Sequence, residues 1–249
     1  MARVCFIGDS HLAALKTGLP LTGNHPRLSA TFFAGPGKSM TGLTLSGEAL
    51  SASNDYLAKA LTITSGGRTA IRDEYDFYLL HGLELSVMVP LALLKQQRIE
   101  GVSPRWPESG TEDAFRRSVE TALRETLAVK ILAMLRAIAT VPAFVSPMPI
   151  ADVQMSALRG RLTERGFNAS LVQMFESLSR DIVAGFDATF IPQPMATRDT
   201  DGIATQGHHS QQPARFTIQQ PGDHDKHMDA EYGAAVLRDF FAAAPGACE

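Results

Sequence analysis

The stretch that most constrains the fold stands at the very start: Arg3-Val4-Cys5-Phe6-Ile7-Gly8-Asp9-Ser10-His11-Leu12. Val4 to Ile7 form an unbroken apolar run. A strand needs such a run when both faces are covered, as in a parallel sheet between helices. Gly8 supplies a tight turn, and Leu12-Ala13-Ala14-Leu15-Lys16 favours helix. Ser10 therefore stands where strand hands over to helix. At the carboxyl end of a parallel strand a side chain points into a crevice, beside the unpaired N–H groups and positive dipole end of the next helix. That setting suits a nucleophile whose attack creates an oxyanion. The plainer alternative is a helix N-cap.

A second stretch lies near the other end: Asp223-His224-Asp225-Lys226-His227-Met228-Asp229-Ala230-Glu231-Tyr232-Gly233, a histidine in an acidic turn ahead of a final helix. With Gly8-Asp9-Ser10-His11 at one end and His-Met-x-x-x-Tyr-Gly at the other, the chain resembles the SGNH (GDSL-like) hydrolase family. That family keeps its serine in the first block and its histidine in the last. The resemblance spans nearly the whole chain and implies Ser10 as nucleophile and His227 as base. The family places an orienting Asp three residues before the histidine, but position 224 is His. Asp223 is the expected orienter, with Asp225, or a dyad steadied by a backbone carbonyl, as alternatives.

The middle of the chain carries two further blocks that the resemblance makes meaningful. After the second expected strand comes Gly35-Pro36-Gly37-Lys38-Ser39. Here the resemblance makes the Gly37 N–H an oxyanion donor, a place where a bare backbone lets an ester approach closely; an ordinary Pro-Gly turn is the alternative. After the third strand the family writes G-x-N-D, its Asn being a second oxyanion donor, whereas this chain has Gly82-Leu83-Glu84-Leu85. Ionised Glu84 cannot donate, so another group (His81 and Arg105 are near in sequence) takes the role, or the site does something else.

Elsewhere the pattern predicts strands at Leu28 to Ala34, Asp76 to Gly82, Pro142 to Ser146 and Thr189 to Ile191. It predicts helices at Glu48 to Leu61, from a Ser109-x-x-Glu112 capping box through Ile138, at Val153 to Arg165, at Ser170 to Val183 and from about Met228 onward. Thr62 to Arg72 reads as a polar connector, Val89 to Pro107 as an irregular Pro-rich loop around Trp106, and Thr197 to Gln220 as a polar loop with His208 and His209. Five strands alternating with helices give an α/β fold, a three-layer α/β/α sandwich. The resemblance implies a flavodoxin-like five-stranded parallel sheet of order 2-1-3-4-5, with Ser10, Gly37 and Gly82 meeting at the strands' carboxyl ends.

The 249 residues, 45% hydrophobic and 20% charged, suffice for one domain over 1–249. A net charge of -3 with a pI near 6.2 offers no basic field for nucleic acid. Gly8-Asp9 interrupts the only N-terminal apolar run and no membrane-length apolar segment follows, so a cytoplasmic protein without leader or membrane partner is expected. Cys5 and Cys248 make no disulfide framework. The sequence carries no sign of an oligomeric state.

The reading that unites these features is a serine hydrolase of a small-molecule or carbohydrate ester. The sugar O-acetyl preference comes from the family, and neither cofactor nor metal is needed. Two rivals stand beside it. One is a binding or scaffold protein on the same fold with decayed machinery, favoured by Glu84 and the displaced Asp. The other is an acyltransferase using the same residues. A separate rival gives His208, His209, His224 and His227 to a transition metal such as Zn.

Overall fold

The structure is a computed structural model that describes residues 1–99, 112–150, 167–200, 202–216 and 227–248. Its centre is β1 (Ala2–Gly8), which pairs in parallel on one side with β2 (Leu28–Ala34) and on the other with β6 (Phe77–His81). Then come β7 (Ala143–Ser146) and β8 (Thr189–Phe190), also parallel. The order β2-β1-β6-β7-β8 is 2-1-3-4-5 when these five strands are counted alone, as expected.

Alternate residues of β1 feed opposite faces, as strand geometry requires. Cys5 and Ile7 enter one core with Phe33, Tyr78, Leu80 and Val145. Val4 and Phe6 enter the other with Phe32, Leu79 and Phe144. The first core is covered by α2 (Asp55–Ser65), α3 (Met88–Ile99), α4 (Glu112–Arg124), α5 (Leu127–Arg136) and α6 (Phe167–Ala184). The second is covered by α1 (Leu12–Gly18) and α7 (Ala230–Ala243), through Leu12, Leu15, Tyr232, Val236 and Phe240. The result is the expected three-layer α/β/α arrangement.

Helices α1 and α7 touch backbone to backbone. A Cβ on Gly233 would lie 1.9 Å from the Ala14 carbonyl oxygen, and one on Gly18 would lie 2.4 Å from the Ala234 nitrogen. These two glycines bring the first turn of α7 against the Ala14-to-Gly18 part of α1.

Four expectations need correction. The helix expected at Glu48 to Leu61 is first a strand, β4 (Ala49–Ala52), and only then α2, capped by Asn54 accepting from the Leu57 N–H. The cause is a hairpin: β3 (Leu43–Ser46) pairs antiparallel with β4, Ser46 opposite Ala49, and the two-residue turn begins with Gly47 at φ +60°. The connector at 62–72 holds the end of α2 and β5 (Ala70–Arg72), which completes a small sheet ordered β3-β4-β5. The loop expected from Val89 is helical to Ile99, with Pro90 in the first turn, where its missing N–H costs nothing. Fourth, the long helix through Ile138 breaks at Glu125-Thr126, where Thr126 Oγ1 donates to the Leu123 carbonyl at 2.6 Å. Arg105, Trp106, Ser109 and the helix at Val153 to Arg165 lie outside the described residues.

Candidate functional site

The site is built where β1, β2 and β6 end. Gly8 allows a close approach: a Cβ there would stand 2.7 Å from the His81 carbonyl oxygen. The Gly8 carbonyl also accepts from the Gly35 N–H at 3.2 Å, which ties the end of β2 to the same point. Asp9 follows and is buried. One carboxylate oxygen accepts from the His11 N–H at 3.0 Å and the other from the Leu83 N–H at 2.9 Å. The two oxygens thus staple the turn carrying Ser10 to the turn leaving β6. Ser10 itself is half-buried, and its carbonyl accepts from the Ala13 N–H as α1 begins.

The turn after β6 is conformationally demanding. Gly82, Leu83 and Glu84 all have positive φ, +80°, +53° and +66°. Gly82 has no alternative, because a Cβ would meet both Asp9 carboxylate oxygens at 2.9 Å. Two consecutive non-glycine residues in the left-handed region cost on the order of 1–3 kcal/mol each, an expense that clusters at functional sites. Tertiary contacts hold them there. Leu83 is buried, its carbonyl accepts from Ala128, and the Leu85 carbonyl accepts from Met148.

Glu84 projects partly into solvent, with its carboxylate 3.8 Å from Lys38 Nζ. Lys38 follows Gly37, so the loops after β2 and β6 meet here. Gly37 has φ +53° and opens a 3₁₀ turn (Gly37–Gly42), a position that favours glycine. Ser39 tucks its hydroxyl against Gly35, where an added Cβ would lie 2.5 Å from Oγ, and this buried oxygen has no hydrogen-bond partner among the described residues.

His81 lies beneath the turn rather than in it. It is fully buried, and Nδ1 pairs with Ser146 Oγ at 2.7 Å. Burial, with a smaller push from His11, lowers its pKa to about 3, so its ring is neutral at ordinary pH.

The C-terminal segment completes the assembly. His227 is buried, and its ring centroid stands 5.2 Å from that of His11, the residue after Ser10. Next to it, the Met228 carbonyl accepts from the Ala214 N–H, and the Asp229 N–H donates to the His209 carbonyl. Asp229 caps α7 by accepting from the Tyr232 N–H at 2.8 Å, and the same Oδ1 lies 2.9 Å from His209 Nδ1.

The structure therefore gathers the Ser10 turn and the Gly82 turn through Asp9, Gly37 and Glu84 through Lys38, and His227 beside His11. Asp223, Asp225 and His224 lie outside the described residues. Sequence reasoning missed three features. One is the Asp9 staple. Another is the countercharge of Lys38 on Glu84. The last is the partly buried His209–Asp229 pair, of which the sequence shows only the Asp at a helix N-cap and not its histidine.

No protein-family model matches the chain, and no curated protein matches it. Among solved structures, an extracellular lipase from Streptomyces rimosus aligns over 98% of this chain and 100% of its own, with 11% identity and a TM-score of 0.47.

Proposed function

We propose that the chain is an SGNH-type serine hydrolase that cleaves an acyl ester, with a small-molecule or carbohydrate ester as substrate class. The observation that carries this reading is the burial of His227 beside the strand-to-helix turn of Ser10, at the carboxyl end of the central parallel strand. Ser10 Oγ attacks the acyl carbon while His227 takes its proton. The N–H groups of Ser10 and Gly37 receive the oxyanion. The tetrahedral adduct collapses, His227 returns the proton to the leaving alcohol, and water then repeats the sequence on the acyl-enzyme. Asp223 orients His227 in this scheme. Neutral His81, tied to Ser146, forms the rigid floor of the turn.

One observation favours the second reading, a binding protein on the same fold: Glu84, which the resemblance aligns with the family's Asn donor, is held in left-handed backbone with Lys38 across from it. Hydrolysis of short p-nitrophenyl esters decides between them. Under the hydrolase reading the native protein turns them over, and Ser10→Ala and His227→Ala each lose roughly a thousandfold or more. Equal turnover by Ser10→Ala removes the serine from the chemistry. An inert native protein that still binds sugar esters supports the second reading.

A further inference from the structure

We propose that His208, His209 and Glu231 form a site for a divalent transition metal, zinc by its chemistry, separate from the Ser10 turn. One nitrogen of each ring and a Glu231 carboxylate oxygen lie within 4.8 Å of one another. Ligands at about 2.0–2.1 Å around a tetrahedral ion stand roughly 3.3 Å apart. Closing the site therefore asks for a shift of about 1.5 Å, and His208 and Glu231, being exposed, are free to make it by rotamer change.

His209 is the anchor. It is 5% exposed, and its Nδ1 faces Asp229 Oδ1 at 2.9 Å. A carboxylate accepts from the N–H of that nitrogen, which leaves the lone pair on Nε2. This carboxylate–histidine pairing fixes ring and tautomer in metal sites generally and makes the imidazole a better ligand. Asp229 is itself held by the Tyr232 N–H at the start of α7, so the orienting group is preorganised. Two imidazoles and one carboxylate are a donor set suited to zinc or cobalt and poorly suited to magnesium or calcium.

The ion would join two elements that already touch through His209, Asp229 and Tyr232. His208 and His209 sit on the 3₁₀ turn Gly207–Ser210, while Glu231 is in the first turn of α7. Bridging them clamps the loop over the segment that carries His227. The role is structural, and no proton or acyl transfer passes through the ion.

The test uses tag-free, full-length protein stripped with chelator and titrated with ZnCl₂ by calorimetry and with CoCl₂ by visible absorption. Expected are one saturable equivalent, a tetrahedral cobalt spectrum, and a Tm rise of about 5–10 °C at a hundredfold excess over Kd. His208→Ala and Glu231→Gln, both at exposed positions, should fold normally and weaken binding at least tenfold. Asp229→Asn keeps an N-cap yet loses the carboxylate, and should weaken binding about 10- to 100-fold. No saturable binding by the native protein overturns the site, as does binding that His208→Ala and Glu231→Gln leave unchanged. These readouts are independent of esterase activity, so the site stands or falls apart from the Ser10 reading.

Discussion

Replacing Glu84 by Asn tests how the turn after β6 was assembled. Glu84 sits at φ +66°, directly after Leu83 at +53°. Asn is several-fold more common than Glu in that region, which corresponds to roughly 0.7–1 kcal/mol of strain relieved. Against this stands the loss of the Lys38 contact. At 3.8 Å, with the two side chains 87% and 43% exposed, it contributes at most a few tenths of a kcal/mol, roughly. The net expectation is a variant about 0.5 kcal/mol more stable, a Tm rise of about 1–2 °C for a chain of this size. Activity should move further. Removing one oxyanion donor costs on the order of 10²–10³ in kcat, so under the hydrolase reading an amide in place of the Glu84 carboxylate should raise ester turnover by about 10- to 100-fold. Glu84→Gln separates the two effects, because it supplies the donor without the left-handed preference and should raise turnover with no Tm gain. Steady-state kinetics on p-nitrophenyl acetate, with calorimetric melting, reads both. An Asn variant that is slower and less stable refutes the reasoning and makes Glu84 a substrate-binding group selected in its strained conformation.

Three further outcomes follow from the packing around the site. Gly233→Ala pushes a methyl into the Ala14 carbonyl at 1.9 Å, so α1 and α7 must separate; it should cost about 2–4 kcal/mol in urea unfolding and, under the hydrolase reading, lower turnover, because α1 follows Ser10 and α7 follows His227. Asp9→Asn leaves one acceptor oxygen where His11 and Leu83 each need one, and should cost about 1–3 kcal/mol together with most of the turnover, whereas Asp76→Asn on the surface should leave turnover unchanged. For His81, burial lowers the pKa from 6.5 to about 3, so the unfolded chain takes up a proton that the folded one refuses. Its contribution is complete above pH 6.5 and is lost as pH falls toward 3, at about 1.4 kcal/mol per unit; urea unfolding at pH 7 and pH 5 should show this slope, and His81→Gln should flatten it.

The parallel sheet was legible because two-sided burial leaves a mark that single residues cannot hide. Val4 to Ile7 and Tyr78 to Leu80 are apolar at every position, and both proved to be interior strands. The small antiparallel sheet was not read, although Leu43 and Leu45 alternate and Gly47 opens a two-residue turn. Leu50 and Leu57 misled, because spacing on a strand and then a helix happened to mimic one helical face. At the site, Ser10 and His227 could be picked out by residue type and position, and the fold brings their segments together. The partners that hold them could not, since the bonds from Asp9 to Leu83 and from His209 to Asp229 join residues far apart in the chain. Lys38 facing Glu84 is likewise set by where two loops end, which no local pattern encodes.

The most direct test of the central claim is labelling with a fluorophosphonate followed by mass mapping, because the reagent reacts only with an activated serine. The native protein should take up one equivalent on the peptide containing Ser10. Ser10→Ala should take up none, and His227→Ala should react at least a hundredfold more slowly, roughly in line with loss of a general base. Label on another serine, or no label on protein that is folded by circular dichroism, would contradict a Ser10–His227 hydrolase.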